Sequence, residues 1–133
     1  MKKTSLIDGS KIYCISPTEA QMLYEHINGY LNHDFIKIKS GDTIIDIGAN
    51  IGVFGIKLSS MFSNVKIFAF EPVDPIFAVL KKNACITNNK QFKVFKWGLS
   101  DKNELLNCTY YPNSPAMSTS NPDMWGSNKE LLT

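Results

Sequence analysis

The sequence predicts an α/β domain with a doubly wound, largely parallel sheet. Three observations carry that expectation. An apolar, mostly β-branched run from Thr43 to Ile47 passes through Asp46 and breaks into Gly48-Ala49-Asn50-Ile51-Gly52, after which a helical pattern starts at once. Strand, helix, strand, helix and strand patterns then alternate at the spacing of right-handed βαβ units, for which the strand order is 3-2-1. Finally, 133 residues with 44% apolar content suit one domain with a core of its own.

Residues 6–15 alternate around the turn signal Asp8-Gly9, and 11–15 read as a short strand. Ser16 is placed to cap a helix, Pro17 suits its first position, and Glu19 completes a capping box. Ala20, Leu23, Tyr24, Ile27 and Leu31 follow at helical spacing, and Gly29 marks an end or a bend. Residues 1–39 thus form a flank or lid outside the sheet, with Tyr24 packed on the core. Ser40-Gly41-Asp42 is a turn into the first sheet strand, whose continuous apolarity asks for cover on both faces. Ile51, Phe54, Gly55, Leu58, Met61 and Phe62 make one helical face, and Ser63-Asn64 breaks it. Residues 65–70 are a second strand ending at Glu71-Pro72. Asp74-Pro75 caps a further helix with Ile76, Val79, Leu80, Asn83 and Ala84 or Ile86 on its face, stopped by Asn88-Asn89. Residues 92–97 are a third strand, closed by Gly98-Leu99-Ser100-Asp101, and 104–111 alternate well enough for one more. The half-domain therefore spans 40–111. Residues 112–133 read as loop with isolated Met117, Met124 and Trp125, and 129–133 begin a further element.

Composition excludes several classes. All 14 basic residues are lysines, so bidentate guanidinium readout of bases is absent, and a net charge of +2 does not call for nucleic acid. Cys14, Cys85 and Cys108 are far apart, without CxxC spacing or a neighbouring histidine. A metal site is not expected, and the cysteines read as small apolar residues in a reducing compartment. Polar residues follow Met1-Lys2-Lys3 at once, and no apolar stretch reaches membrane-spanning length. A cytoplasmic protein without membrane contact is the expectation.

In such a sheet, ligands bind at the carboxyl ends of the strands. Asp46, Gly48, Asn50 and Gly52 lie after the first strand, Glu71 after the second, and Ser100 and Asp101 after the third. Gly48 and Gly52 let the backbone approach a ligand, and Asn50 tolerates a left-handed conformation or caps the helix. Glu71 is placed to accept both hydroxyls of a ribose. A dinucleotide fingerprint begun at Gly48 needs glycines where Asn50 and Val53 stand, so a nicotinamide or flavin reading is weak. A ligand with adenosine and no phosphates fits better, which points to S-adenosyl-L-methionine. The plain alternative is a tight turn and a solvent-facing Glu71.

Asp46-Ile47-Gly48-Ala49-Asn50-Ile51-Gly52 with Phe70-Glu71-Pro72 resembles the class I S-adenosylmethionine-dependent methyltransferases, and more narrowly the FkbM type. Tyr30-Leu31-Asn32-His33, Gly98-Leu99-Ser100-Asp101, and Thr109-Tyr110-Tyr111-Pro112 with Met117-Ser118 extend the likeness over nearly the whole chain. The resemblance implies a Rossmann-like sheet and O-methylation of a small-molecule hydroxyl. It implies that Gly48, Asn50 and Gly52 border the methionine part, that Glu71, followed by Pro72, holds the ribose, and that Asp101 or the backbone near Leu99 lies by the adenine. Asp46 would support the turn and reach the amino group. The family continues into a fourth strand with a Lys-x-Asp-x-Glu-Gly-like segment, which nothing here matches. The expectation is a fragment, a truncated product, or a subunit whose first strand pairs with another chain, because Thr43–Ile47 is too apolar for a bare edge. No residue reads as the catalytic base; His33 and Asp34 precede the core. A non-catalytic nucleotide-binding or interaction remnant is the alternative.

Overall fold

The structure, a computed structural model, describes residues 1–124. Trp125 and the element expected at 129–133 lie outside the described residues. The chain opens with an antiparallel hairpin, β1 (Lys2–Ser5) and β2 (Lys11–Cys14), followed by α1 (Pro17–Leu31). The central layer is β3 (Thr43–Ile47), α2 (Val53–Met61), β4 (Lys66–Phe70), α3 (Asp74–Ile86) and β5 (Phe92–Phe95). These three strands are parallel in the order β3-β4-β5, so β3 is an edge of the sheet among the described residues.

Register decides which face is covered. Ile44 lies beside Ile67, and Asp46 beside Ala69; Ile67 and Ala69 in turn lie beside Phe92 and Val94. That face carries the core, where Ile67, Ala69 and Phe92 meet Leu58 of α2 and Leu80 and Ala84 of α3. Both crossover helices lie on this one side, as two right-handed crossovers in the same direction require. The other face carries Ile45, Ile47, Phe68, Phe70 and Phe95. Ile45 and Ile47 are each 63% exposed. Phe95 stacks on Phe70 at 5.0 Å and on Trp97 at 5.6 Å, and Trp97 is 64% exposed. The expectation that β3 is covered on both faces is therefore corrected: the described residues cover one.

The hairpin and α1 build a second cluster behind the glycine turn. Leu6, Ile12, Cys14, Tyr24 and Ile27 join Ile51, Val53, Val73, Ile76 and Val79. Lys57 of α2 reaches back to the Tyr24 hydroxyl and to Asp8 at 3.4 Å, tying helix to hairpin. Ser16 caps α1 by accepting the Glu19 N–H at 3.3 Å, whereas the Glu19 carboxylate accepts from Ala116 N–H at 2.6 Å. Gly29 neither ends nor breaks α1, which runs to Leu31. Three other expectations change. Residues 104–111 form no strand; a single bridge joins Thr109 to Thr119. The cap of α3 is Val73, with Asp74 inside the first turn. Cys14 is buried, but Cys85 and Cys108 are exposed.

Candidate functional site

The turn after β3 is built from left-handed residues. Gly48 has φ +76°, Asn50 +49° and Gly52 +83°. Asparagine accepts that conformation more readily than other side-chain-bearing residues, and here its Oδ1 also accepts the Ile51 N–H at 2.7 Å. The turn is anchored on β4, whose last carbonyl, Phe70 O, accepts both Gly48 N–H at 3.0 Å and Ala49 N–H at 2.9 Å.

The two glycines serve different ends. A Cβ on Gly48 would meet nothing within 4 Å, so this backbone is open to a ligand. A Cβ on Gly52 would lie 2.6 Å from Leu80 Cδ1, so its bare backbone serves the packing of α2 against α3. Gly52 is the N-cap of α2, whose first amides thus begin at the turn. Gly55, read only as part of a helical face, leaves room for the Phe92 ring, which a Cβ would approach to 2.2 Å.

Two carboxylates flank the turn. Glu71 is 5% exposed and accepts from Asn50 N–H at 3.1 Å and Val73 N–H at 2.9 Å. Burial pushes its pKa up, and the two backbone donors oppose that rise. Glu71 is thus no solvent-facing carboxylate; it holds both the glycine turn and the start of α3. Asp46 sits on the covered face of the sheet, and its Oδ2 is buried with no hydrogen-bond partner. Burial first, and then the neighbouring Glu71 charge, raise its pKa from 3.8 to about 6. A cationic group entering beside it would relieve both effects.

Asp46, Gly48, Asn50, Gly52 and Glu71 therefore come together at the carboxyl end of the sheet. Pro72 follows Glu71 and is exposed; its ring faces the backbone of Gly98. Asp101 lies in an exposed loop after β5, where its Oδ1 meets the Ser100 hydroxyl at 3.3 Å. His33 and Asp34 are not at this site. They line a cleft of about 440 Å³ with Met61 and Phe62, at the far end of α2 from the turn. A nine-residue helix separates the two ends by about 13 Å. Asn83 reads from the sequence only as part of a helical face, yet its amide donates to the Ile51 carbonyl of the turn at 2.7 Å. Its signal was a fully polar side chain within an apolar stripe. Among the described residues, no cluster could hold a metal ion, and no helix is long and apolar enough to cross a membrane.

An open glycine turn lies at the carboxyl edge of this parallel sheet, flanked by the buried Glu71 and the half-buried Asp46, at the place where α/β sheets of this kind take their ligands. Comparison with known proteins narrows this. The chain is 35% identical over 121 residues to the methyltransferase SdnD of Sordaria araneosa, covering 89% of this chain and 47% of that protein. It is 34% identical over 130 residues to the 31-O-demethyl-FK506 methyltransferase FkbM of Streptomyces tacrolimicus, covering 96% and 49%. By sequence the chain is related to the FkbM-type methyltransferases over most of its length, and it spans about half the length of these curated relatives. No family model matches it. Among solved structures, the mycolic acid cyclopropane synthase CmaA1 complexed with SAH and CTAB aligns with TM-score 0.46 and 18% identity, over 67% of this chain and 30% of that one. A SAM-dependent methyltransferase from Aquifex aeolicus aligns with TM-score 0.42 and 16% identity, over 70% and 52%.

Proposed function

We propose that this chain supplies the S-adenosyl-L-methionine-binding half of a methyltransferase that acts on a small-molecule hydroxyl. The observation that carries the reading is the turn itself. It has an open left-handed Gly48 and an unpartnered buried carboxylate oxygen on Asp46, in a chain that is 34–35% identical to two proteins named methyltransferases.

The residues present fit the cofactor. Gly48 offers backbone without a side chain in the way, the Asp46 carboxylate suits a cationic amino group, and Asn50 and Gly52 fix the turn's shape. Glu71 has one backbone N–H on each oxygen and a second lone pair free on each for ribose hydroxyls. Pro72, just after β4, and Asp101, in the exposed loop after β5, would border the adenosine side. When bound, S-adenosylmethionine supplies an electrophilic methyl group. This chain's own part would be orientation: holding the cofactor lets positioning of the methyl group against its acceptor lower the barrier.

The open sheet face supports a further part of the reading. Ile45, Ile47, Phe70, Phe95 and Trp97 form an apolar surface of a kind that sheets in doubly wound folds keep covered. We take these three strands as about half of a larger Rossmann-like sheet. In the working protein, further polypeptide or another chain would cover this face and pair with β3. The test of the cofactor reading is calorimetric titration with S-adenosylhomocysteine and, in parallel, with NAD. Binding of the first alone supports it; binding of NAD alone would replace it with an oxidoreductase reading.

A further inference from the structure

Asn83 has no exposed surface, although it sits in the middle of α3 between Leu80 and Ala84. Its side chain uses its carbonyl and two amide hydrogens on partners distant in sequence. Oδ1 accepts the Tyr13 N–H at 2.8 Å, while Nδ2 donates to Tyr13 O at 2.9 Å and to Ile51 O at 2.7 Å. Towards β2, the amide takes the place of a further strand, satisfying both backbone groups of Tyr13 on the side away from β1. Towards the turn, it holds the carbonyl of the residue between Asn50 and Gly52, both of which are left-handed.

That carbonyl belongs to the Ile51-Gly52 peptide, whose N–H is donated by Gly52 to Ala49 O at 2.9 Å. A rotation of this peptide would break both bonds and re-aim the start of α2. On the opposite side, Glu71 holds Asn50 N–H. The turn is therefore clamped between one side chain from the end of β4 and one from α3.

We propose that Asn83 is a positioning residue for the cofactor turn, and that through it the β1-β2 hairpin is part of the binding scaffold rather than a lid. This rests on the S-adenosylmethionine reading above. Asn83 does not touch the ligand; it acts through the Ile51 carbonyl. The chemistry needs an amide at this position, because only a group with one acceptor and two donors meets all three backbone atoms.

The test compares wild type with Asn83→Asp, which keeps the acceptor for Tyr13 N–H and loses both donors. Amide hydrogen exchange is read at residues 48–53 and, as an internal reference, at residues 67–70 of β4. S-adenosylhomocysteine affinity is read alongside. The expected result is exchange at least tenfold faster in the turn, with exchange in β4 unchanged or raised far less, and affinity at least tenfold weaker. Exchange rising equally in the turn and β4, with affinity unchanged, would overturn the proposal and leave Asn83 an ordinary core residue. If Asn83→Asp does not fold, Asn83→Ser, which retains one hydroxyl donor, is read the same way. A wild-type protein that ignores S-adenosylhomocysteine would sink the cofactor reading, while the exchange comparison still decides whether Asn83 positions the turn.

Discussion

Replacing Asp46 by asparagine should make the protein more stable and a poorer binder. The Asp46 carboxyl is desolvated, faces the charge of Glu71 and has a buried oxygen without a partner. Its pKa rises from 3.8 to about 6 on folding. The unfolded chain therefore gives up this proton first, and native stability falls as pH rises from about 4 to about 6, then stays lowered. At about 1.4 kcal/mol per pH unit, ionised Asp46 costs the native state about 2–3 kcal/mol at pH 8. An amide is close in shape and carries no charge, so Asp46→Asn removes this cost. Urea unfolding should show the variant more stable by about 2–3 kcal/mol at about pH 8 and equal to wild type near about pH 4. On the proposed cofactor reading, the same variant should bind S-adenosylhomocysteine more weakly, because that reading offers this carboxylate to the amino group. A variant no more stable at high pH, or one gaining the same amount at both, would refute this reasoning.

Gly55→Ala gains up to about 1 kcal/mol of helix propensity but drives a methyl into the Phe92 ring, so unfolding experiments should show a net loss of about 1–3 kcal/mol. Adding Phe92→Leu should recover part of it, and additive losses would show that the two sites do not meet. Ile45→Lys with Trp97→Lys places charge on the open sheet face. If that face is unpartnered in the isolated chain, analytical ultracentrifugation should show less self-association at unchanged stability; a stability loss of several kcal/mol would mean the face is already buried against something.

Much of the core was legible because local and global signals agreed. Thr43–Ile47 is mostly β-branched, glycines and an asparagine that accept left-handed backbone follow it, and the crossovers admit one hand. The failures have separate causes. Lys2-Lys3-Thr4-Ser5 has no apolar alternation, and β1 exists because β2 offers it an edge. Residues 104–111 alternate, yet among the described residues no neighbouring strand is offered beyond the Thr109–Thr119 bridge, and alternation alone does not make a strand. Strand apolarity reports that two faces want cover but not whether cover is present, so the bare side of Ile45 and Ile47 could not be read from residues alone. In the site, the glycine and asparagine pattern pointed to the turn because each residue type has a backbone reason to be there. That Gly52 faces Leu80 while Gly48 faces open space depends on helix packing, which spacing does not carry. By spacing Asn83 is one position of an apolar face, and its partners lie 70 and 32 residues away.

The most direct measurement is titration of S-adenosylhomocysteine into the wild-type protein and into Gly48→Val. Gly48 has left-handed backbone, and a Cβ there enters open space rather than the core. The fold should survive with a loss of about 1–2 kcal/mol, while the side chain stands where the ligand must come close. The account predicts one-to-one binding to the wild type and none detectable to Gly48→Val at matched folded fraction. Equal affinity for both, or no binding to either, would contradict the assignment of this turn to the cofactor.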